Sequence, residues 1–280
     1  GAEDGYCPSP IVLGAAIAGA TSRLRIRLSA LVAVLHHPIR LAEDLAVVDL
    51  LSAGRLEITL GIGYRPQEYA MFGVPKSDCV RLLTDAIEVL ERAWTGEAFD
   101  YDGVDVVVRP RPAQRPRPMI DTGSAVEAGA RRAAHVGDGF DPPVSAASLY
   151  SVYEDECRRI GKTATPPPKR HDMLFIHVAE DPDSEWELVA PHVLHTVNSY
   201  ARWSTERGVA RTVKPEIADL DQLRSHPNYH VVTPEACLDL LHSFDADSEV
   251  VLQPLMGGLD PLCSWRSLEL FERRVLPHAP

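Results

Sequence analysis

Residues 122–125, Thr-Gly-Ser-Ala, have the composition of a turn that can bind an anion. They lie between a short apolar segment that we predict to be a strand, residues 119–122, and a helical pattern that runs from Ser124 to about His135. A helix start offers free backbone N–H groups, glycine allows close approach, and a small hydroxyl adds a donor, which together suit a phosphate. The alternative is an ordinary strand-to-helix junction in which Ser124 caps the helix. Residue types alone favour this alternative.

A second candidate is the segment 61–65, Gly-Ile-Gly-Tyr-Arg, at the carboxyl end of a predicted strand. Gly61 and Gly63 would let the backbone approach a flat ring, and Tyr64 could stack on it or donate a hydrogen bond. The carboxyl ends of parallel strands carry the chemistry in α/β folds. A tight turn with a surface arginine, Arg65, explains the same residues equally well.

The elements around these segments alternate between strand and helix patterns. We predict strands at 25–34, 56–62, 119–122, 138–140, 173–178 and 249–255, and a hairpin at 99–108. Helices are predicted at 10–21, 38–53, 79–94, 124–135, 146–159, 184–203, 234–244 and 264–275. Such alternation indicates a parallel sheet with helices outside it. Residues 204–232 lack periodicity and are expected to form an irregular insertion.

Composition restricts the partners and the setting. A formal net charge of -12 argues against nucleic acid or an anionic membrane as the main partner. No apolar run is long enough to cross a bilayer. The five cysteines are scattered, without a CxxC pair, which favours reduced thiols in a cytoplasmic protein over disulfides or a zinc site. We therefore expect a cytoplasmic protein without a metal.

Three longer segments resemble the bacterial luciferase-like monooxygenase family, whose members use reduced FMN or coenzyme F420. The segments are HHP at 36–38 followed by AEDLAVVDLLSAGRLE, GYRPQEYAMFG at 63–73, and TGSAVEAGARRAAHVGDGF at 122–140. Weaker similarity extends from about residue 3 to residue 274. No single segment is specific, but their order and spacing together carry the resemblance.

The resemblance implies a TIM (β/α)8-type barrel as a single domain over residues 1–280. Family members usually carry two more strand–helix steps before the point that matches residue 3. We therefore expect a barrel that lacks its first one or two strand–helix units at the N-terminus. The insertion at about 204–232 would shape the mouth of the site.

The resemblance also implies a cofactor site at three strand ends. The residues that match it are Ser29, Ala30, Gly61, Gly63, Tyr64, Arg65, Thr122, Gly123 and Ser124. A non-prolyl cis peptide between Ser29 and Ala30 is expected against the flavin ring, and the turn at 122–124 is expected to hold the phosphate. Many relatives have an arginine where this chain has Ile62, so Arg65 is a candidate substitute. No catalytic residue is identified, because the histidine that relatives often use lies upstream of this chain.

By the same resemblance, the chain is an FMNH2-dependent monooxygenase or an F420-dependent oxidoreductase that acts on a small organic substrate. Dioxygen, a flavin reductase and a second copy of the chain in a homodimer or higher oligomer are the implied partners. The alternatives are a non-catalytic barrel that serves as a scaffold or partner subunit, and an inactive fragment of such an enzyme.

Overall fold

The computed structural model describes residues 7–143, 146–166, 175–206, 216–245 and 249–280. The chain forms two compact units, residues 1–167 and residues 168–280. The helices of unit 1 are α1 Pro10–Ala20, α2 Pro38–Leu51, α3 Pro66–Met71, α4 Cys79–Thr95, α5 Glu127–Val136 and α6 Leu149–Arg159. Its strands are β1 Ile26–Val32, β2 Leu56–Gly61, β3 Phe99–Tyr101, β4 Val104–Val106, β5 Ile120–Thr122 and β6 Gly139–Phe140.

Unit 1 is built on a four-stranded parallel sheet in the order β1-β2-β5-β6. Successive side chains of a strand point to opposite faces. Leu28, Ile58 and Ile120 are paired in register across β1, β2 and β5, and all three are buried in the same apolar core as residues of α2 and α4. The opposite face of these strands carries polar residues, which form the site described below.

Two side chains hold β2 in place at its start. The Arg55 guanidinium donates hydrogen bonds to the carbonyls of Leu24 (2.6 Å) and Thr21 (2.8 Å), which ties β2 to the connection between α1 and β1. The Gln114 side-chain amide donates to Asp49 Oδ1 (2.7 Å) and to the Leu56 carbonyl (2.9 Å). Asp49 is fully buried, so Gln114 supplies the hydrogen bonds that a buried carboxylate requires.

Unit 2 contains strands β7 Phe175–Val178 and β8 Tyr229–Val232, which pair in parallel. Its helices are α7 Pro182–Glu206, α8 Leu220–Arg224, α9 Pro234–His242 and α10 Pro261–Leu270. Helix α10 packs on β7, where the Ser267 hydroxyl accepts a hydrogen bond from the Val178 N–H at 2.8 Å. No helix in the described part of the chain is long and apolar enough to pass through a bilayer.

Most of the predicted elements are confirmed, with three corrections. The segment 249–255 is not a strand: Glu249 forms only an isolated bridge, and Pro254 cannot donate to a sheet. The segment 204–232, expected to be irregular, contains α8 and β8 in its described part. The helix predicted at 124–135 is α5, which begins at Glu127 rather than at Ser124. Residues 173–174 of the predicted strand 173–178 lie outside the described residues.

Candidate functional site

A row of polar side chains crosses the carboxyl half of the unit 1 sheet. Ser29, Thr59 and Asp121 are neighbours in register on β1, β2 and β5. Because they alternate with the buried apolar residues of the same strands, their side chains lie on the face away from the α2 and α4 core. The sheet therefore presents hydroxyl and carboxyl groups on one face.

Asp141, directly after β6, accepts hydrogen bonds from side chains of β1 and β2. Its Oδ2 accepts from the hydroxyls of Ser29 (3.0 Å) and Thr59 (2.9 Å), and from Arg27 Nη2 (3.3 Å). Asp141 is only 5% exposed, and hydrogen bonds to a buried carboxylate are stronger than those between neutral groups. The Asp141 cluster, defined here as Arg27, Ser29, Thr59 and Asp141, thus fixes the carboxyl ends of β1 and β2 against the segment that follows β6.

Asp121 lies at the edge of the Asp141 cluster. Desolvation raises the pKa of Asp121 above its ordinary value, and the negative charge of Asp141 adds to the increase, while Arg27 opposes it. Arg27 Nη2 is 3.9 Å from Asp121 Oδ2. The other oxygen, Oδ1, is buried and has no hydrogen-bond partner among the described residues. The surroundings of Asp121 therefore favour the protonated form of this carboxyl group more than water does.

Beyond this row, three small residues adjoin one another at the tips of β1, β2 and β5. A Cβ placed on Gly61 would lie 3.4 Å from the Ala30 Cβ, and a Cβ placed on Gly123 would lie 3.8 Å from the same atom. We call Ala30, Gly61 and Gly123 the small-residue patch. Any larger side chain at Gly61 or Gly123 would project toward the methyl group of Ala30. The patch therefore offers a surface free of large side chains.

The backbone at the patch has two special features. The peptide bond between Ser29 and Ala30 is cis, which confirms the expectation from the family resemblance. The register of β1 against β2 shifts between Ser29 and Leu31, so that Ala30 is the extra residue of a bulge. Both Ser29 and Ala30 are exposed, and both line a groove of about 510 Å³ that follows β1.

The loop after β2 bends sharply at Gly63. Gly63 has φ +72°, and a Cβ there would lie 2.8 Å from Val32 Cγ1, so both the conformation and the space require glycine. The Tyr69 hydroxyl, which belongs to α3, donates to the Ile62 carbonyl and holds the loop. Tyr64 and Arg65 follow on this loop and are half-buried, and Arg65 precedes the first residue of α3. The loop is thus anchored on both sides of the two predicted side chains.

The turn at 122–126 differs from the predicted capping arrangement. The Ser124 Oγ accepts from the Val126 N–H at 3.3 Å, and Val126, with φ −138°, precedes the first residue of α5. Ser124 is therefore not the N-cap of α5, because its hydroxyl closes a turn ahead of the helix. It lies over Gly129: the Ser124 Oγ is 1.9 Å from the position that a Cβ on Gly129 would take.

Arg132, one turn further along α5, reaches the same place. Its Nη2 is 3.5 Å from that same Cβ position on Gly129. A hydroxyl and a guanidinium thus flank the start of α5, where backbone N–H groups favour an anion. The Thr122 side chain does not join them. Thr122 is in register with the buried Leu60, and its hydroxyl is buried without a hydrogen-bond partner among the described residues.

The structure therefore brings together Ala30, Gly61 and Gly123, with Ser29 beside them in the Asp141 cluster. Sequence reasoning missed Asp141 and Arg132. A carboxylate directly after the short strand 139–140 was the available signal for Asp141. For Arg132 the signal was a basic residue on the helix that follows a candidate phosphate turn.

Parallel strands joined by helices, with a small-residue patch at the strand tips, define an α/β protein. The family model described as luciferase-like monooxygenase matches residues 1–241. The chain belongs to this family.

Two relatives illustrate the range of similarity. An uncharacterized protein of Sinorhizobium fredii is 30% identical over 96% of this chain and 82% of its own length. The FMNH2-dependent dimethylsulfone monooxygenase of Pseudomonas putida is 26% identical over 95% of this chain and 77% of its own length. Three uncharacterized mycobacterial relatives match over 135 residues only, so that the chain spans about half of their length (48%).

Solved structures of the family have the same fold. The oxygenating component of 3,6-diketocamphane monooxygenase from Pseudomonas putida, in complex with FMN, has a TM-score of 0.70 at 19% identity, with 98% of this chain and 84% of that chain covered. The coenzyme F420-dependent tetrahydromethanopterin reductase of Methanopyrus kandleri has a TM-score of 0.61 at 16% identity, with 97% and 88% covered. The fold of this chain is that of the luciferase-like TIM-barrel enzymes, and a luciferase-like oxidoreductase is the general function that the relatives support.

Proposed function

We propose that the chain is a reduced-FMN-dependent monooxygenase that acts on a small organic substrate. The observation that carries the proposal is the small-residue patch, where Ala30, Gly61 and Gly123 from three strand tips adjoin one another. A planar ring needs a surface without projecting side chains, and three separate strands supply it here. The relative with dimethylsulfone monooxygenase activity, which depends on FMNH2, supports FMN over F420.

The residues present fit FMN at two points. The ring would lie over the small-residue patch, with Gly63 and Tyr64 beside it. The phosphate would lie at the turn of Ser124, near Arg132 and the start of α5. When bound, reduced FMN supplies the electrons and activates dioxygen, which no amino-acid side chain can do.

The chain's own residues would orient the ring and supply a proton. The Asp141 cluster would hold the floor of the site through the hydrogen bonds that Asp141 accepts from Ser29 and Thr59. Asp121 Oδ1 has no hydrogen-bond partner among the described residues, and the pKa of this carboxyl is raised. The Asp121 carboxyl group, whose side chain is 28% exposed, is the group that would give a proton to the substrate or take one from it.

Binding measurements test the cofactor directly. The purified chain is titrated under anaerobic conditions with FMNH2, and separately with oxidised FMN and with F420, while fluorescence is followed. We expect FMNH2 to bind at micromolar concentration and F420 to bind far more weakly. Oxygen uptake in the presence of a flavin reductase then tests turnover. Tighter binding of F420 would replace the proposal with an F420-dependent oxidoreductase.

A substitution that fills the small-residue patch tests the position of the ring, and a substitution at an open glycine is its control. In Gly61→Leu the added side chain would project toward Ala30 and fill the patch, so we expect FMNH2 binding to be lost while the chain stays folded. Gly19→Leu changes a helical glycine with no atom within 4 Å of its Cβ position, and it should leave binding unchanged. Absence of binding by the unmodified chain to either cofactor would favour the non-catalytic scaffold. Four further points stay predictions: that the chain uses dioxygen, that a flavin reductase is its partner, that it forms a homodimer or higher oligomer, and that it is cytoplasmic.

A further inference from the structure

Three potential metal ligands meet in unit 2, and none of them is a residue assigned to the cofactor. His177 lies on β7, Glu185 on α7 and Cys263 on α10. His177 and Cys263 are each 2% exposed, while the Glu185 side chain is 22% exposed. The packing of α10 on β7 and the position of α7 directly after β7 bring the three side chains together. The sequence predicts no metal site, because these residues have no ligand spacing along the chain.

Their distances suit a single ion. Cys263 Sγ is 3.9 Å from His177 Nε2 and 3.6 Å from Glu185 Oε2, and these last two atoms are 3.8 Å apart. A point equidistant from the three atoms lies about 2.2 Å from each, which is within the range of zinc bonds to nitrogen, oxygen and sulfur. The mixture of thiolate, imidazole and carboxylate excludes Mg²⁺ and Ca²⁺, which prefer oxygen ligands alone.

The geometry does not fit a nucleophilic cysteine with a histidine base. In that arrangement the acid binds the ring nitrogen opposite the thiol and orients the imidazole. Here both Glu185 Oε2 and Cys263 Sγ approach the same atom, His177 Nε2. The three groups converge on one point, as metal ligands do, rather than forming a series in which each group is hydrogen-bonded to the next.

Glu185 connects the cluster to a groove at the surface. Glu185 and Arg266 line a groove of about 470 Å³. The two carboxylate oxygens of Glu185 have different neighbours. Oε1 is 3.6 Å from Arg266 Nη2, whereas Oε2 faces His177 and Cys263. The groove would admit the ion and leave room for water as a fourth ligand.

We propose that His177, Glu185 and Cys263 bind one divalent ion of the zinc class. The ion would link β7, α7 and α10 and stabilise unit 2, because it binds the folded chain and not the separated elements. This site is independent of the FMN assignment.

Cobalt(II) provides the test, since a cobalt–thiolate bond gives a charge-transfer absorption that other ligands do not. The full chain, stripped with a chelator and reduced, is titrated with Co²⁺ and then with Zn²⁺. We expect the thiolate absorption to appear with one equivalent of Co²⁺ and to disappear when Zn²⁺ displaces it. The midpoint temperature of thermal unfolding should rise when Zn²⁺ is added.

Two variants separate this site from binding at the other thiols. Cys263→Ala should abolish the absorption, while Cys237→Ala, which removes another fully buried thiol of unit 2, should leave it unchanged. Glu185→Gln keeps the shape of a partly exposed side chain and should weaken Zn²⁺ binding at least ten-fold. The proposal is overturned if the unmodified chain shows no thiolate absorption, or if the absorption survives in Cys263→Ala.

Discussion

The Ser124 hydroxyl occupies the space directly over Gly129, with Oγ 1.9 Å from the position of a Cβ on that glycine. Ser124 Cβ is 2.4 Å from the same position, so a small rotation of the side chain would not make room. The turn at 122–126 can therefore lie on α5 only because residue 129 has no side chain.

Gly129→Ala should destabilise the chain by about 1–2 kcal/mol, because the cost of overpacking exceeds the gain in helix propensity. We also expect weaker FMN binding, since the turn must move. The measurement is urea unfolding followed by a flavin titration. Gly19→Ala, in the open part of α1, should instead stabilise the chain by up to about 1 kcal/mol. The double variant Ser124→Gly with Gly129→Ala should recover stability, and failure to do so would contradict the steric explanation.

Arg132→Ala should raise the dissociation constant of FMN about ten-fold, because a charged hydrogen bond to the phosphate is lost. Riboflavin, which has no phosphate, should bind the variant and the unmodified chain equally. Arg131→Ala is the matched control: Arg131 is exposed and pairs with Glu156 at 3.7 Å. An equal loss of FMN and riboflavin affinity in Arg132→Ala would show that the arginine acts on the fold rather than on the phosphate.

The half-buried carboxyl of Asp121 should make stability depend on pH. Because its pKa is raised in the folded chain, the folded chain keeps this proton to higher pH than the unfolded chain does. The free energy of unfolding therefore falls as pH rises from the ordinary carboxyl pKa through the raised value, and it stays lower above it. In Asp121→Asn this contribution is absent, so the variant should be more stable than the unmodified chain at pH 7 and similar to it at pH 4.

Urea unfolding at several pH values measures this difference. Asp155→Asn, at a carboxylate that is 68% exposed and pairs with Arg158, should change stability little at any pH. A variant Asp121→Asn that is less stable than the unmodified chain at pH 7 would show that its interaction with Arg27 outweighs the desolvation.

Gln114→Ala should destabilise the chain by about 1–3 kcal/mol, because it removes the hydrogen bond to the buried Asp49 Oδ1 and the one to the Leu56 carbonyl. Thermal unfolding measures the loss. Gln67→Ala, at an exposed position of α3, should change stability by less than about 0.5 kcal/mol. Equal stability of both variants would mean that water replaces the Gln114 amide at Asp49.

The sequence predicts the long elements of this fold well. Helices α2 and α4 and strands β1 and β2 each have enough apolar residues at a regular period to be identified. Strand β8 was missed because four residues after a Pro-Asn turn show no period. The segment 249–255 has the composition of a strand, but only Glu249 forms a bridge there, and Pro254 has no N–H to donate to a sheet.

The candidate site could be predicted only in part. The glycines at 61, 63 and 123 are visible as backbone that can approach a ligand, and the family resemblance placed Ser29 and Ala30 beside them. The role of Asp141 depends on contacts with Arg27, Ser29 and Thr59, at least 82 residues away. Contacts over such separations follow from the tertiary fold, and no local pattern reports them.

One oxygen of Asp141 joins three donors on two neighbouring strands, so the base of the pocket is braced from inside the sheet. In the proposed site the loops after β2 and β5 would form the rim, and the three donors named here lie on the strands rather than on those loops. In the proposed FMN site, substitutions at Tyr64 or Arg65 would therefore change the pocket for the substrate, while the hydrogen bonds to Asp141 would keep β1 and β2 in place.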